Sequence, residues 1–126
     1  MHAVVKRASN AVYRCLGPGM AETVYRNALC LELQSALQLL GMQLAVAMEV
    51  VRPITYRGTQ IGFHRHDIVV GKCVIEIKVG KASCTPQYEA QVQRYRRHIH
   101  PAECLVLVVF GTASVTTAIH PGTPNR

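Results

Sequence analysis

Apolar positions recur along this chain with two different periods, and the change of period marks its elements. Over residues 3–16, Val4, Val5, Ala8, Val12, Cys15 and Leu16 recur at spacings of three and four, which predicts a helix with one apolar stripe. Lys6, Arg7 and Arg14 lie mostly off that stripe, and Gly17-Pro18-Gly19 breaks the pattern. A second helix is expected from about Met20 to Leu40, with Gly41 as its C-terminal cap. Ala28, Leu29, Leu31, Leu33, Leu37, Leu39 and Leu40 make it apolar on more than one side, so it should be well buried.

From Gln43 the period becomes two. Leu44, Val46, Met48 and Val50 alternate in a strand over 43–51, which Arg52-Pro53 is expected to interrupt. Ile54 and Tyr56 then form a further strand before a turn at Arg57-Gly58-Thr59, and Ile61–Val70 is the next. A tight hairpin at Gly71-Lys72 leads into the strand that carries Val74, Ile75 and Ile77. Every link over 43–79 is too short for a crossover, so these strands form an antiparallel meander. After a loop at 80–84, Thr85-Pro86 supplies an N-cap and a first-position proline for a third helix reaching about His98. The run Cys104–Phe110, CLVLVVF, suits a strand buried on both faces, with Val115–Ile119 as a last edge strand. Residues 120–126 read as a polar Pro/Gly tail. The order α-α-β-β-β(-β)-α-β-β implies a mixed α/β (α+β) architecture. One domain over 1–119 is expected, with the third helix crossing over between parallel strands.

The central hairpin, Arg65–Lys78, concentrates the candidate chemistry. With Gly71-Lys72 as the loop, Val70 faces Cys73, Val69 faces Val74, Ile68 faces Ile75, and Asp67 faces Glu76. Two carboxylates then lie side by side, and Lys78, two residues beyond Glu76, points the same way. Like charges directly opposite destabilise a sheet by up to about 1 kcal/mol, and burial worsens the conflict. A hard divalent cation such as Mg²⁺ resolves it, and a lysine beside it would orient or deprotonate a water. The competing reading is a solvated Glu/Lys/Asp face; the strongly apolar flanks favour an interior pair instead. His64-x-His66-Asp67 also invites a transition-metal reading, but strand alternation turns Asp67 away from both histidines. Glu22 at the start of the second helix complements the helix dipole, an effect of about 0.3–1 kcal/mol.

Composition narrows the setting. Of 126 residues, 49% are hydrophobic and 17% charged, which describes a globular chain rather than a disordered one. No apolar run approaches the roughly 20 residues of a membrane span, and the first residues lack the apolar core of a signal peptide. The net charge of +7, from 14 Lys and Arg against 7 Asp and Glu, favours a polyanionic partner. The 5 cysteines are odd in number and lack zinc-ligand spacing, which points to reduced, structural thiols and an intracellular location, cytoplasmic or nuclear.

Several segments together resemble a known family. Gly19-Met20-Ala21-Glu22-Thr23-Val24-Tyr25 matches the G-x-x-E-x-x-Y signature of the GxxExxY proteins, within the PD-(D/E)XK nuclease superfamily. Tyr56-Arg57-Gly58, Gly62 and Arg65-His66-Asp67 are similar to its Y-x-G … G … R-x-D segment, although His66 stands where the superfamily nominally has proline. Glu76-Ile77-Lys78 is the E-x-K half of the nuclease motif, and Gln91-Val92-Gln93-Arg94-Tyr95 resembles the Q-x-x-x-Y element of the RecB-like branch. The resemblance implies a metal-dependent nuclease acting on DNA with Mg²⁺ or Mn²⁺. It implies Asp67 and Glu76 as metal ligands, helped by the Ile77 backbone carbonyl and by Glu22 directly or through water. Lys78 would serve the attacking water and the phosphate, and Gln91 and Tyr95 would brace that lysine or meet the nucleic acid. Lys81, Arg94, Arg96 and Arg97 would hold the phosphate backbone. The alternatives are a non-catalytic nucleic-acid-binding or interaction module on the same fold, and a subunit active only with a partner. A homodimer would suit double-strand cutting.

Overall fold

Helix α1 spans His2–Leu16 and buries Val5, Ala8, Ser9 and Val12, the expected stripe with one serine added. The Ser9 hydroxyl donates to the Val5 carbonyl at 2.7 Å, so its burial leaves no unpaired group. The helix ends at Gly17, whose φ of 68° suits a residue without a Cβ. Helix α2, Glu22–Leu39, buries Tyr25, Leu29, Cys30, Leu33 and Leu37 and leaves Leu31, Leu39 and Leu40 exposed. It is therefore covered on one side, not on several as the leucine count suggests. Gly41 closes it at φ 69°, with Gly41 N–H donating to the Gln38 carbonyl and Met42 N–H to the Leu37 carbonyl. That pair of bonds is a Schellman cap.

The computed structural model describes residues 1–80 and 86–122. It holds one five-stranded sheet in the order β1-β2-β3-β4-β5, formed by β1 (Val46–Tyr56), β2 (Thr59–Val70), β3 (Cys73–Val79), β4 (Cys104–Phe110) and β5 (Val115–Pro121). Helix α3, Pro86–Arg97, links β3 to β4, which pair in parallel from Cys73↔Cys104 to Val79↔Phe110; the other three pairings are antiparallel. The crossover and the mixed sheet match the sequence reading.

Two boundaries differ from expectation. Pro53 does not interrupt its strand: β1 runs through it, with Pro53 opposite Phe63. The reason is position, since β1 is an edge strand, where a proline is tolerated. At the other edge β5 continues to Pro121, and Gly122 N–H donates to the Glu103 carbonyl, so the expected tail begins as sheet. The proposed Thr85 cap lies outside the described residues.

The sheet has a core on each face. Ile68, Val70, Cys73, Ile75, Ile77, Val106, Val108 and Phe110 pack with α1 and α2. Val74, Leu105, Leu107 and Val109 pack with Val92 of α3 and with Ile99. β3 and β4 thus bury side chains of both parities. Tyr25 lies wholly inside the first core, its ring 4.1 Å from that of Phe110 and within 2° of parallel. Its hydroxyl donates to the Gly17 carbonyl at 2.5 Å and accepts the Met20 N–H at 3.2 Å, fastening the α1–α2 turn and with it the start of α2.

Candidate metal-binding active site

The Gly71-Lys72 turn sets the register read from sequence: Val70↔Cys73, Val69↔Val74 and Ile68↔Ile75. The ladder then stops at Asp67. On the other side of β2 the pairing also passes over this residue, from Met48↔Ile68 to Val50↔His66, and the intervening Glu49 has φ of 52°. A non-glycine residue with positive φ inside a strand marks a local kink. Beyond it β2 leaves β3 and runs toward α3. The His64 ring stacks on His98 at 4.7 Å and meets Tyr95 edge-on at 5.6 Å, while Arg52 of β1 forms a two-bond ion pair with Glu103 (2.6 and 2.8 Å).

Where the ladder stops, the two carboxylates take over its bonds. The Asp67 N–H donates to Glu76 Oε1 at 2.9 Å, and the Ile77 N–H donates to Asp67 Oδ2 at 2.8 Å. Asp67 and Glu76 are therefore neighbours as expected, but they exchange bonds with backbone amides across the gap rather than standing opposite each other in a regular ladder. Burial pushes the Asp67 carboxyl up to about 6; the Ile77 N–H and Lys78 oppose the rise, and the charges of Glu76 and Glu22 add to it. For Glu76, burial works to raise the value, but His64, His66 and the Asp67 N–H together hold it below the usual carboxylate range.

Lys78 completes the hairpin set. Its Nζ lies 5.5 Å from the Tyr95 ring centroid, and Gln91 Nε2 donates to the Tyr95 hydroxyl at 3.1 Å. Burial works against the ammonium charge, yet the Tyr95 hydroxyl, Glu22 and Asp67 hold the Lys78 pKa above its ordinary value. Glu22, at the exposed start of α2, acts on Asp67 and Lys78 through its charge. The structure thus gathers Glu22, Asp67, Glu76, Lys78, Gln91 and Tyr95 around the end of β3.

The basic residues are less uniform. Arg94 and Arg97 are exposed on α3, whereas Arg96 donates to the Pro121 carbonyl at 2.8 Å and to Gln93 at 3.2 Å, tying α3 to β5. Lys81 lies outside the described residues.

His64 and His66, set aside in the sequence reading, belong to this site. The kink at Asp67 swings them onto Glu76, with His64 Nε2 3.7 Å from Oε2 and His66 Nδ1 3.7 Å from Oε1. Both distances exceed hydrogen-bond length, roughly 2.7–3.2 Å. His66 has no exposed surface, and among the described residues neither of its ring nitrogens has a hydrogen-bond partner; the buried His64 Nε2 likewise has none. Each such group costs about 1–3 kcal/mol when left dry and unpaired. The signal in the sequence is the alternate-residue pair itself; its third member is Glu76, which strand alternation alone does not indicate.

Three comparisons with known proteins bear on this arrangement. No curated protein matches the chain. A solved structure described as "Crystal structure of SSO0001" superposes with a TM-score of 0.51 at 18% identity, covering 96% of this chain and 67% of that one, which shows the shared fold. The family model described as PD-(D/E)XK nuclease superfamily matches residues 1–120. With the mixed sheet, the crossover helix and an Asp–Glu–x–Lys set at the parting of two strands, that match gives the identification: the chain belongs to the PD-(D/E)XK nuclease superfamily.

Proposed function

We propose that this protein is a metal-dependent nuclease that hydrolyses phosphodiester bonds in DNA, of the GxxExxY type within the RecB-like branch. The observation that carries the reading is the Asp67–Glu76–Lys78 group at the break between β2 and β3, with Glu76 buried and Asp67 and Lys78 half-buried. The donors suit a hard cation: burial first, and then the charges of Glu76 and Glu22, raise the Asp67 pKa, and a bound ion would relieve both. Asp67 and Glu76 would hold Mg²⁺ or Mn²⁺, with the Ile77 carbonyl and, through water, Glu22. When bound, such an ion supplies positive charge that acidifies water and offsets charge on the phosphoryl group.

The chain's own residues do the rest. Lys78 keeps its proton at neutral pH, because its partners outweigh its burial. In that state it acts as a cation and donor toward phosphate oxygens. Gln91 orients the Tyr95 hydroxyl, and Tyr95 in turn holds Lys78 in place. Arg94, Arg97 and Lys81 would follow the phosphate backbone, supported by the net charge of +7.

The test is a cleavage assay on circular single-stranded, supercoiled and branched DNA with Mg²⁺, Mn²⁺ or chelator. Metal-dependent cutting is expected, falling by at least about a hundredfold in Glu76→Ala and Lys78→Ala, in line with the loss of one preorganised charge. Absence of cutting with salt-sensitive DNA binding intact in all three proteins would turn the assignment to a binding module or a partner-dependent subunit.

A further inference from the structure

We infer that His64, His66 and Glu76 form a second metal site, selective for Zn²⁺-class transition ions and distinct in chemistry from the hard-ion set around Asp67. The two histidines are alternate residues of β2 and present their rings to one side; Glu76 comes from β3. One donor atom from each lies within 4.8 Å of the others, and both imidazole–carboxylate separations are 3.7 Å. Donors about 2.0–2.1 Å from a tetrahedral ion stand roughly 3.3 Å apart, so the cluster needs only a modest contraction. The rings are already oriented: His64 is stacked on His98 and lies at 4.6 Å from His66.

The unpaired nitrogens carry the argument. His66 is fully enclosed, with neither nitrogen at hydrogen-bond length from a partner among the described residues, and His64 Nε2 is buried beside it in the same state. A packed histidine with no ligand duty ordinarily finds a carbonyl or carboxylate at hydrogen-bond length. Here the nearest carboxylate stands just too far for a hydrogen bond and near enough to share an ion. Two imidazoles and one carboxylate form a donor set for Zn²⁺, Co²⁺ and their neighbours, whereas Mg²⁺ prefers oxygen alone. Three protein ligands leave a fourth position for water or a substrate oxygen. The site does not require the nuclease reading, although it shares Glu76 with it.

The experiment uses the whole chain, stripped with chelator and titrated with Co²⁺ while the visible ligand-field absorption is followed. Zn²⁺ competition and elemental analysis give the stoichiometry. One equivalent bound through nitrogen and oxygen, not displaced by a thousandfold excess of Mg²⁺, is expected. His64→Ala and His66→Asn should each weaken it at least about a hundredfold, since losing a ligand costs no less than the roughly 10–100-fold lost with a group that only supports one. Lys78→Ala should bind Co²⁺ like the parent whatever it does to DNA cleavage, which separates this inference from the proposed activity. The part-exposed His64 variant is decisive if His66→Asn fails to fold. Absence of binding, thiolate-to-cobalt charge transfer placing the ion on the cysteines, or affinity unchanged in the His64 variant would each overturn the site.

Discussion

The parallel pair β3–β4 and the outer half of the β1–β2 hairpin are both strands of one sheet, yet they obey opposite rules. In β3 and β4 nearly every residue is buried, whichever face it points to, because α1 and α2 cover one side and α3 the other. In the outer hairpin Val51, Tyr56, Ile61 and Phe63 are about half to two-thirds exposed. The first region is held by dry packing. The second is held by its own ladder and by a few directed contacts, chiefly Arg52–Glu103 and the His64 ring on His98. The candidate chemistry lies where the two meet. A carboxylate in the fully packed pair would have no route to solvent, and one out on the hairpin would have no field to shift it. At the junction the half-buried Asp67 has both, and it joins there with Glu76, which comes buried from β3.

The largest effect that sharpens this contrast is a pair of truncations. Leu107→Ala, in the α3-side core, is expected to cost about 2–5 kcal/mol of unfolding free energy, whereas Phe63→Ala should stay within about 0.5 kcal/mol. Denaturant titration of both variants checks this; a Phe63 variant as damaged as Leu107 would show that the hairpin is packed against something.

A smaller effect is expected at the junction. The folded Asp67 pKa is raised to about 6, so this group's contribution to stability is present below its unfolded value and is lost as pH rises through about 6. At 1.36 kcal/mol per unit the ceiling is about 3 kcal/mol, and partial solvent access reduces it to about 1 kcal/mol. Metal-free Asp67→Asn, which still offers an oxygen to the Ile77 N–H, should melt higher than the parent at pH 8. Below pH 4 the two should coincide. Melting curves across that range decide it, and a variant less stable at pH 8 would mean the carboxylate is held by contacts that outweigh its burial.

The smallest effect concerns the fastening of the hairpin. The Arg52 guanidinium, through its hydrogen bonds to the carboxylate, holds Glu103 below its ordinary pKa. The stability it brings is present above about pH 4.5 and is lost as pH falls through the lower folded value. Glu103→Gln should cost about 0.5–1 kcal/mol at pH 7, and the cost should shrink toward pH 3. A cost that stays constant with pH would assign the loss to the His100 N–H bond that the same carboxylate accepts.

Much of this molecule was legible in the sequence, for reasons that differ by element. The stripe Val5–Ala8–Val12 and the Gly41 cap follow from local periodicity and backbone freedom, and both appear as read. The Gly71-Lys72 register is local too, since a two-residue loop fixes which residues face each other. The run of Cys104–Phe110 announces a doubly covered strand by composition alone. Pro53 was misread because the cost of a proline depends on whether its strand is at an edge, which no local pattern contains. Tyr25 was equally opaque: its motif spacing is visible, but only the fold brings Phe110 under its ring and the Gly17 carbonyl to its hydroxyl.

The sequence by itself determined the elements, the hairpin register and the neighbouring of Asp67 with Glu76, because turns, caps and alternation act over a few residues. Tertiary structure alone decided which way the histidines point. Alternation holds only while a strand is regular, and the kink at Asp67, with Glu49 at positive φ beside it, turns His64 and His66 toward Glu76. The same kink opens the ladder so that Asp67 and Glu76 carboxylates stand in for missing backbone partners. A bend sustained by α3, β3 and the Arg52–Glu103 pair together is a property of the packed molecule, and so is the cluster it creates.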